Sequence, residues 1–407
     1  MTVQPLTIND SNVELCQVIR QRIAESPQQR ITFAEYMDLV LYHPQYGYYT
    51  TTEAKIGKQG DFFTSPHLGA DFGEVLAEQL VQMWEILGKP RLFTLVEMGA
   101  GQGILAADVL QYLQRQAPDF FEGLEYVIIE KSATLKAEQQ ERLSHYQQWV
   151  RWCDWDELSN GSIVGCFFSN ELVDALPVHQ FVIEEGQLKE IYVTAEEQLT
   201  AKGESEIKLA EVSGKLSTPK IAEYFDWVGI DLLTSAYADG YRSEVNLAAL
   251  DWMITVAKKL QRGYILTIDY GYPAHRYYHP CRREGTLQCY YHHRHHNNPY
   301  LFVGRQDLTA HVDFTALEKV GEIWGVQTLG LTQQGLFLMA LGLGDRIAAL
   351  STKDAQVLDL ATFLKRREAL HQLIDPTGLG GFGVLVQSKG LSEEEKACKL
   401  KGLIVPD

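Results

Sequence analysis

Hydrophobic and polar positions change rhythm twice along the chain. Up to about residue 90 the apolar positions recur at helical spacing. Leu68, Phe72, Leu76, Met83 and Leu87 share one face of a helix that Ser65 can cap, Pro66 can open, and Gly88 and Pro90 end. Before it, Thr32 and Glu35 form a capping box for a helix towards Tyr42, stopped by His43-Pro44. From Phe93 short apolar runs at 93–96, 126–129, 149–152 and 163–168 alternate with helical patterns at 103–115 and 132–143. Such alternation with short connections predicts a parallel sheet covered by helices on both faces.

After Pro177 the alternation breaks. Runs at 181–183 and 191–193 around Glu185-Gly186 predict a hairpin, and the charged stretch to about Lys220 predicts further antiparallel strands inserted in the fold. The main pattern resumes with a helix over 245–260, a strand over 264–268, a long loop at 271–305 and a helix over 315–324. Runs 326–331 and 336–340 are separated only by 332–335, too short for a helical crossover, which predicts an antiparallel terminal hairpin. Residues from 345 read as a helical tail with a Gly-rich turn at 378–383. The expected division is a helical region at 1–90, an α/β domain at 91–345 with insertions at about 178–244 and 271–305, and a tail at 346–407.

Composition narrows the classes. A net charge of −17 disfavours non-specific grip on nucleic acid or an anionic membrane and favours a basic partner. The six cysteines are scattered, none at a CxxC spacing, which suits a reducing compartment. The first ten residues lack a secretory layout and no run approaches the ~18 apolar residues of a membrane span, so a soluble, cytoplasmic protein is expected.

The chemistry concentrates at Val96-Glu97-Met98-Gly99-Ala100-Gly101-Gln102-Gly103, a strand-to-helix turn with glycines at alternate positions. Glycines there let the backbone turn sharply and leave room for a ligand at the carboxyl edge of a sheet. A dinucleotide fingerprint would need its third glycine where Ile104 stands, and there is no P-loop. Glu97 would repel a pyrophosphate but suits the ammonium and sulfonium of S-adenosylmethionine. Glu130, closing the second strand, is placed to accept from two ribose hydroxyls; the alternative is a carboxylate favouring the dipole of the following helix. Asp154, after the third strand, is placed to accept from the adenine amino group.

Ser169-Asn170-Glu171-Leu172-Val173-Asp174 ends the fourth strand, on the edge facing a donor methyl. Asn170 as a helix cap, with Glu171 and Asp174 as first-turn carboxylates, is the plain structural alternative. Gly60-Asp61-Phe62-Phe63-Thr64 reads by itself as a turn with buried aromatics. The 271–305 loop holds five arginines against one acid, Glu284, with six histidines. Its histidines and cysteines lack the spaced pairs of a zinc site, so no metal is expected and a lid or partner-binding loop is favoured.

These blocks together resemble the MidA-type methyltransferases, related to the mitochondrial arginine methyltransferase that assists complex I assembly. The resemblance runs from about Thr32 to Leu343. It rests on Tyr42-His43-Pro44 with Gly47-Tyr48-Tyr49; Gly60-Asp61-Phe62 with Thr64-Ser65-Pro66 and Phe72-Gly73-Glu74; the glycine motif; Asn170-Glu171 with 174–178; Asp269-Tyr270-Gly271; Gly285-Thr286-Leu287 with His293; and 307–310 with 312–314. Gly304-Arg305-Gln306 departs from the family, which commonly has Pro or Gly pairs there. The resemblance implies an α/β seven-stranded methyltransferase (Rossmann-like) sheet binding S-adenosylmethionine. Asp61, Thr64 and Pro66 would wall the cofactor pocket beside Glu97, Gly99, Gly101, Gly103, Glu130, Asp154 and Asn170. An arginine of a protein substrate would be the acceptor, oriented by Glu171, with Asp174 or His293 assisting proton loss. A small-molecule methyltransferase, or an assembly factor that holds the cofactor without turnover, remain as alternatives.

Overall fold

A computed structural model describes residues 10–51, 64–199, 205–292, 294–352 and 359–404. The chain divides into two compact units, each assembled from three segments: Met1–Phe62, Asp174–Asp251 and Tyr272–Lys319 form one, and Phe63–Val173, Trp252–Gly271 and Val320–Asp407 the other.

The second unit is built on a seven-stranded sheet. Its strands are β1 (Phe93–Met98), β2 (Leu124–Ile129), β3 (Val150–Trp152), β4 (Ile163–Asn170), β5 (Leu260–Asp269), β6 (Gln327–Gln333) and β7 (Gly383–Lys389), in the order β3-β2-β1-β4-β5-β7-β6. β1 through β5 pair in parallel, and β7 runs antiparallel to both its neighbours. Every residue of β1 is buried, as a central strand covered on both faces must be. Helices α1 (Asp71–Ile86), α2 (Ile104–Gln116) and α3 (Ala133–Arg142) belong to the same unit, and Leu76, Leu80, Val109, Leu110, Phe168 and Leu266 lie in its core. Because the chain moves outward from β1 to β3 and then returns to β4 on the other side of β1, the order reverses between β1 and β4. That switch point leaves a crevice at the carboxyl ends of the two strands.

Three sequence expectations are corrected in this region. The terminal hairpin does not form from 326–331 and 336–340: residues Gln334–Leu338 are helical, and β6 pairs instead with β7, more than fifty residues downstream. The run Leu336-Phe337-Leu338-Met339-Ala340 is too short for periodicity to separate strand from helix. The tail after 345 is therefore not wholly helical, since β7 enters the middle of the sheet. Finally, Ser65–Leu68 is a separate helical turn, and α1 starts only at Asp71 because Gly69, at φ 146°, breaks the path between them.

In the first unit Thr32 caps the helix Phe33–Tyr42 by accepting the Glu35 N–H at 3.1 Å. An antiparallel sheet gathers His179–Glu184, Gln187–Leu199, Ser205–Gly214, Arg242–Val245 and Ile31–Thr32. Much of 271–305, expected as loop, is ordered into the helix Ala274–Tyr277 and the strands Gln288–Tyr291 and Arg294–His296, the former paired with Asp307–Thr309. Among the described residues, no helix is long and apolar enough to cross a membrane.

Candidate functional site

The turn between β1 and α2 carries Gly99, Gly101 and Gly103 at φ 69°, 52° and 73°, all in the left-handed region that side chains with a Cβ resist. Each has different surroundings. A Cβ at Gly99 would lie 2.7 Å from Leu172 Cδ1 and one at Gly103 would lie 3.2 Å from Gln139 Cγ, whereas one at Gly101 would meet open space. The outer glycines are therefore packed against protein and the middle one faces open space. Glu97, buried at the end of β1, accepts a hydrogen bond from Tyr126 Oη at 2.6 Å. Burial pushes its carboxyl up to about 7, against the pull of that hydrogen bond, and the nearby Glu130 charge adds to the rise.

Glu130 follows β2. Its Oε1 accepts the Ser132 N–H at 2.9 Å and its Oε2 accepts from Gln139 Nε2 at 3.0 Å. Burial raises its carboxyl above the usual range, and the two donors oppose the rise. Gln139 on α3 is itself fully buried and ties three parts of the crevice together. Its Nε2 also donates to Gly101 O at 2.7 Å, and its Oε1 accepts from Trp152 Nε1 at 2.9 Å. A carbonyl, a carboxylate and an indole N–H leave one orientation for that amide.

The turn at 64–68 lies against the same loop. Thr64 Oγ1 and His67 Nδ1 are 2.6 Å apart, and His67 Nε2 is 3.2 Å from Gln102 Oε1, inside the glycine motif. Burial lowers the His67 pKa, opposed by the Gln102 hydrogen bond. Ser65 and Gln334 exchange a buried side-chain hydrogen bond at 3.2 Å. The Ser65 N–H donates to Glu171 Oε1 at 3.3 Å, and Asn170 Nδ2 donates to the same oxygen at 3.1 Å. Glu171 has φ 53°, a left-handed conformation that costs a non-glycine residue about 1 kcal/mol or more. Its N–H is held by Ile268 O at 2.9 Å, and Asp269 Oδ2 accepts the Val173 N–H at 2.9 Å, so the strand ends of β4 and β5 enforce the turn. Asn170 Oδ1 is buried without a hydrogen-bond partner among the described residues.

The structure thus brings together Thr64, Pro66, Glu97, Gly99, Gly101, Gly103, Glu130, Asn170 and Glu171 around the β1 and β4 ends. The others fall elsewhere. Asp154 is exposed at the start of the turn Trp155–Glu157, its N–H donating to Glu157 Oε2 at 2.7 Å. Asp174 belongs to the first unit, buried, its carbonyl accepting the Ala310 N–H at 2.9 Å. Beside it, Tyr42 Oη donates to Ala175 O at 2.9 Å and Tyr49 Oη to Asp307 Oδ1 at 2.8 Å, which links the Tyr42, Asp174 and Asp307 blocks. Asp61 and His293 lie outside the described residues. Sequence reasoning missed Gln139, His67, Gln102 and Gln334. Only Gln139 left a signal: it stands four residues after Leu135 on the buried face of α3, where an apolar residue is the default.

The open space at Gly101, the paired acceptors of Glu130 and the unpartnered Asn170 oxygen fit a ligand with a nucleoside and an amino-acid end. Known proteins agree. A family model described as "Putative S-adenosyl-L-methionine-dependent methyltransferase" matches residues 75–332. The chain is similar to the Drosophila melanogaster protein arginine methyltransferase NDUFAF7 homolog, mitochondrial, at 30% identity over 76% of this chain and 71% of that protein. It is similar to the mouse protein arginine methyltransferase NDUFAF7, mitochondrial, at 28% identity over 91% and 85%. A Burkholderia thailandensis crystal structure bound to S-adenosyl-homocysteine superposes with a TM-score of 0.81 at 32% identity, covering 98% of both chains. The cytoplasmic expectation is overturned, because these curated relatives are named as mitochondrial proteins. Scattered cysteines report a reducing environment, which does not specify the compartment.

Proposed function

We propose, from the fact that the chain belongs to this family of S-adenosyl-L-methionine-dependent methyltransferases, that it methylates an arginine side chain of a protein partner. The methyltransferase activity and the cofactor follow from the family; the acceptor is the reading supported by the curated relatives, which are named protein arginine methyltransferases. The resemblance to the MidA-type family implies in addition a role in the assembly of a complex I-like enzyme. The observation that carries the site is the strained Glu171 turn, set beside the glycine loop by Leu172.

S-adenosylmethionine supplies an electrophilic methyl on a sulfonium. The chain's own residues bind and orient. The Gly101 backbone leaves space for the ligand, Glu130 accepts from the ribose hydroxyls, and Asn170 Oδ1 takes a donor from the amino-acid end. Thr64 and Pro66 wall the pocket, Asp61, outside the described residues, is proposed for the same role, and Glu97, its carboxyl pushed up to about 7, lends negative charge beneath the loop as it ionises. Asp154, exposed after β3 and outside that cluster, is the proposed partner of the adenine edge. Glu171 Oε1 is already fixed by two donors, so its carboxylate is preorganised for a planar guanidinium, which it holds through charge-assisted hydrogen bonds. Positioning is the main catalytic task, because the leaving sulfonium supplies the driving force. Asp174, three residues on, and His293 are the proposed acceptors of the proton that the arginine nitrogen loses. Mass spectrometry of cells lacking the gene tests the assignment: a protein arginine methylation must vanish, and an unchanged protein methylome would refute the acceptor.

A further inference from the structure

The arginines of segment 271–305 are not accounted for by methyl transfer. Its arginines differ in their surroundings. Arg305 pairs with Asp10 at 2.6 Å and Arg283 donates to Asp239 O at 3.3 Å. Arg276 and Arg282 have no side-chain hydrogen bond or ion pair among the described residues. Both instead lie over the ring of Tyr272, their guanidinium carbons 4.6 and 4.4 Å from its centroid. Arg282 Nε is buried with no hydrogen-bond partner among the described residues. The His311 ring lies 5.1 Å from the same tyrosine; burial, and then the Arg282 charge, push its pKa down to about 4, so it is neutral.

This arrangement is electrostatically incomplete. Two cations held at one ring, 4.6 and 4.4 Å from its centroid, are at most about 9 Å apart, on the order of the ~8 Å Debye length at physiological salt, and they repel. A ring face offsets roughly 0.5–1 kcal/mol at a half-exposed site, but it engages the guanidinium face and leaves the N–H edge unused. Elsewhere in the same unit the contrast is plain: Arg242 donates to both oxygens of Glu211, each at 3.0 Å. In a chain of net charge −17 an arginine pair without a carboxylate is a departure in need of a counter-charge.

We propose that Tyr272, Arg276 and Arg282 form a carboxylate-recognition site that grips an aspartate or glutamate side chain of a protein partner. A planar carboxylate matches the guanidinium fork, and the ring holds both forks in place before binding, which lowers the entropy lost on association. A nucleic-acid backbone is disfavoured by the acidic remainder of the surface, whereas one carboxylate side chain needs only this local field. The site requires neither cofactor nor methyl acceptor, so it goes beyond the arginine reading and is tested apart from it.

The test is fluorescence anisotropy of the full chain at low salt, without cofactor, using a labelled peptide of alternating glycine and glutamate and its glycine-glutamine counterpart. The glutamate peptide is expected to bind and the glutamine peptide not to. Arg276→Gln and Arg282→Gln should each weaken binding about tenfold or more, the loss of a charge-assisted hydrogen bond. Arg283→Gln should leave binding unchanged. Circular dichroism and thermal unfolding of every variant report that the protein remains folded. Because Arg276 is exposed, its variant does not endanger the core. No glutamate-specific binding by the parent, or equal binding by parent and Arg276→Gln, would overturn the proposal. Displacement of the peptide by inorganic phosphate at far lower concentration than by acetate would also overturn it, reassigning the site to phosphate.

Discussion

Replacing Gln139 by leucine removes one buried amide from the middle of the proposed cofactor site while keeping its approximate volume. Three contacts disappear together: Gly101 O and Glu130 Oε2 each lose a donor, and Trp152 Nε1 loses its acceptor. The orphaned indole N–H costs about 1–3 kcal/mol of stability, with or without ligand. The effect on the cofactor comes from Glu130. A hydrogen bond to a charged group contributes about 1.5–3 kcal/mol, so cofactor affinity should fall about tenfold to more than a hundredfold. The loss should also depend on pH. Ribose hydroxyls donate to the ionised carboxylate, so affinity is full above the folded pKa of Glu130 and lost as pH falls through it. That pKa already lies above the usual range through burial, and the Gln139 donor pulls it back. In Gln139→Leu the loss must therefore begin at a higher pH than in the parent. Calorimetry with S-adenosyl-homocysteine across pH 5 to 8, on the parent, Gln139→Leu, Glu130→Ala and the double variant, supplies a double-mutant cycle. If Gln139→Leu lowers affinity equally at every pH, or if the two losses simply add, Gln139 does not act through Glu130.

Three further outcomes are expected. Gly101→Val should abolish cofactor binding by calorimetry while circular dichroism stays native, because its side chain would fill the open space and a φ of 52° strains any β-branched residue. Glu171→Gln should leave cofactor affinity nearly unchanged and lower methyl transfer about a hundredfold, the scale for a preorganised charge in a dry site. Lost cofactor binding would instead move Glu171 to the donor pocket. Glu97, with its carboxyl raised from 4.5 to about 7, binds more protons folded than unfolded, so its contribution is largest below the unfolded pKa and fades as pH rises towards 7. Denaturant titrations should show Glu97→Gln gaining stability relative to the parent across that window, by up to about 3 kcal/mol; a constant difference would mean that Glu97 is ionised throughout.

What could be read from the chain followed from how directly a residue type reports backbone geometry. Glycines at 99, 101 and 103 mark positive φ, and all three adopt it, so the turn itself was legible before any tertiary contact was known. The place of Glu130 just past β2 was legible because the end of a strand has a defined direction. Glu171 was placed at the right edge of the sheet, but its left-handed φ was not visible, since nothing in a glutamate predicts one and it is imposed by Ile268 O and the packing of Leu172. Gln139 and Gln140 are alike in sequence, yet one is buried and one exposed, and only the register of α3 distinguishes them. The last strand was misplaced for a related reason. Residues 336–340 and 384–386 are equally apolar and short, and the choice between them is made by long-range pairing: Leu385 sits opposite both Thr267 and Leu331.

The central claim is that this chain moves the methyl of S-adenosylmethionine onto arginine in a protein. The direct measurement incubates purified protein and methyl-tritiated cofactor with an extract from cells lacking the gene, followed by acid hydrolysis and amino-acid analysis of the precipitated protein. Label is expected in methylarginine, absent with Gly101→Val and strongly reduced with Glu171→Gln. Label confined to small molecules or to another amino acid, with the cofactor bound normally, would contradict it.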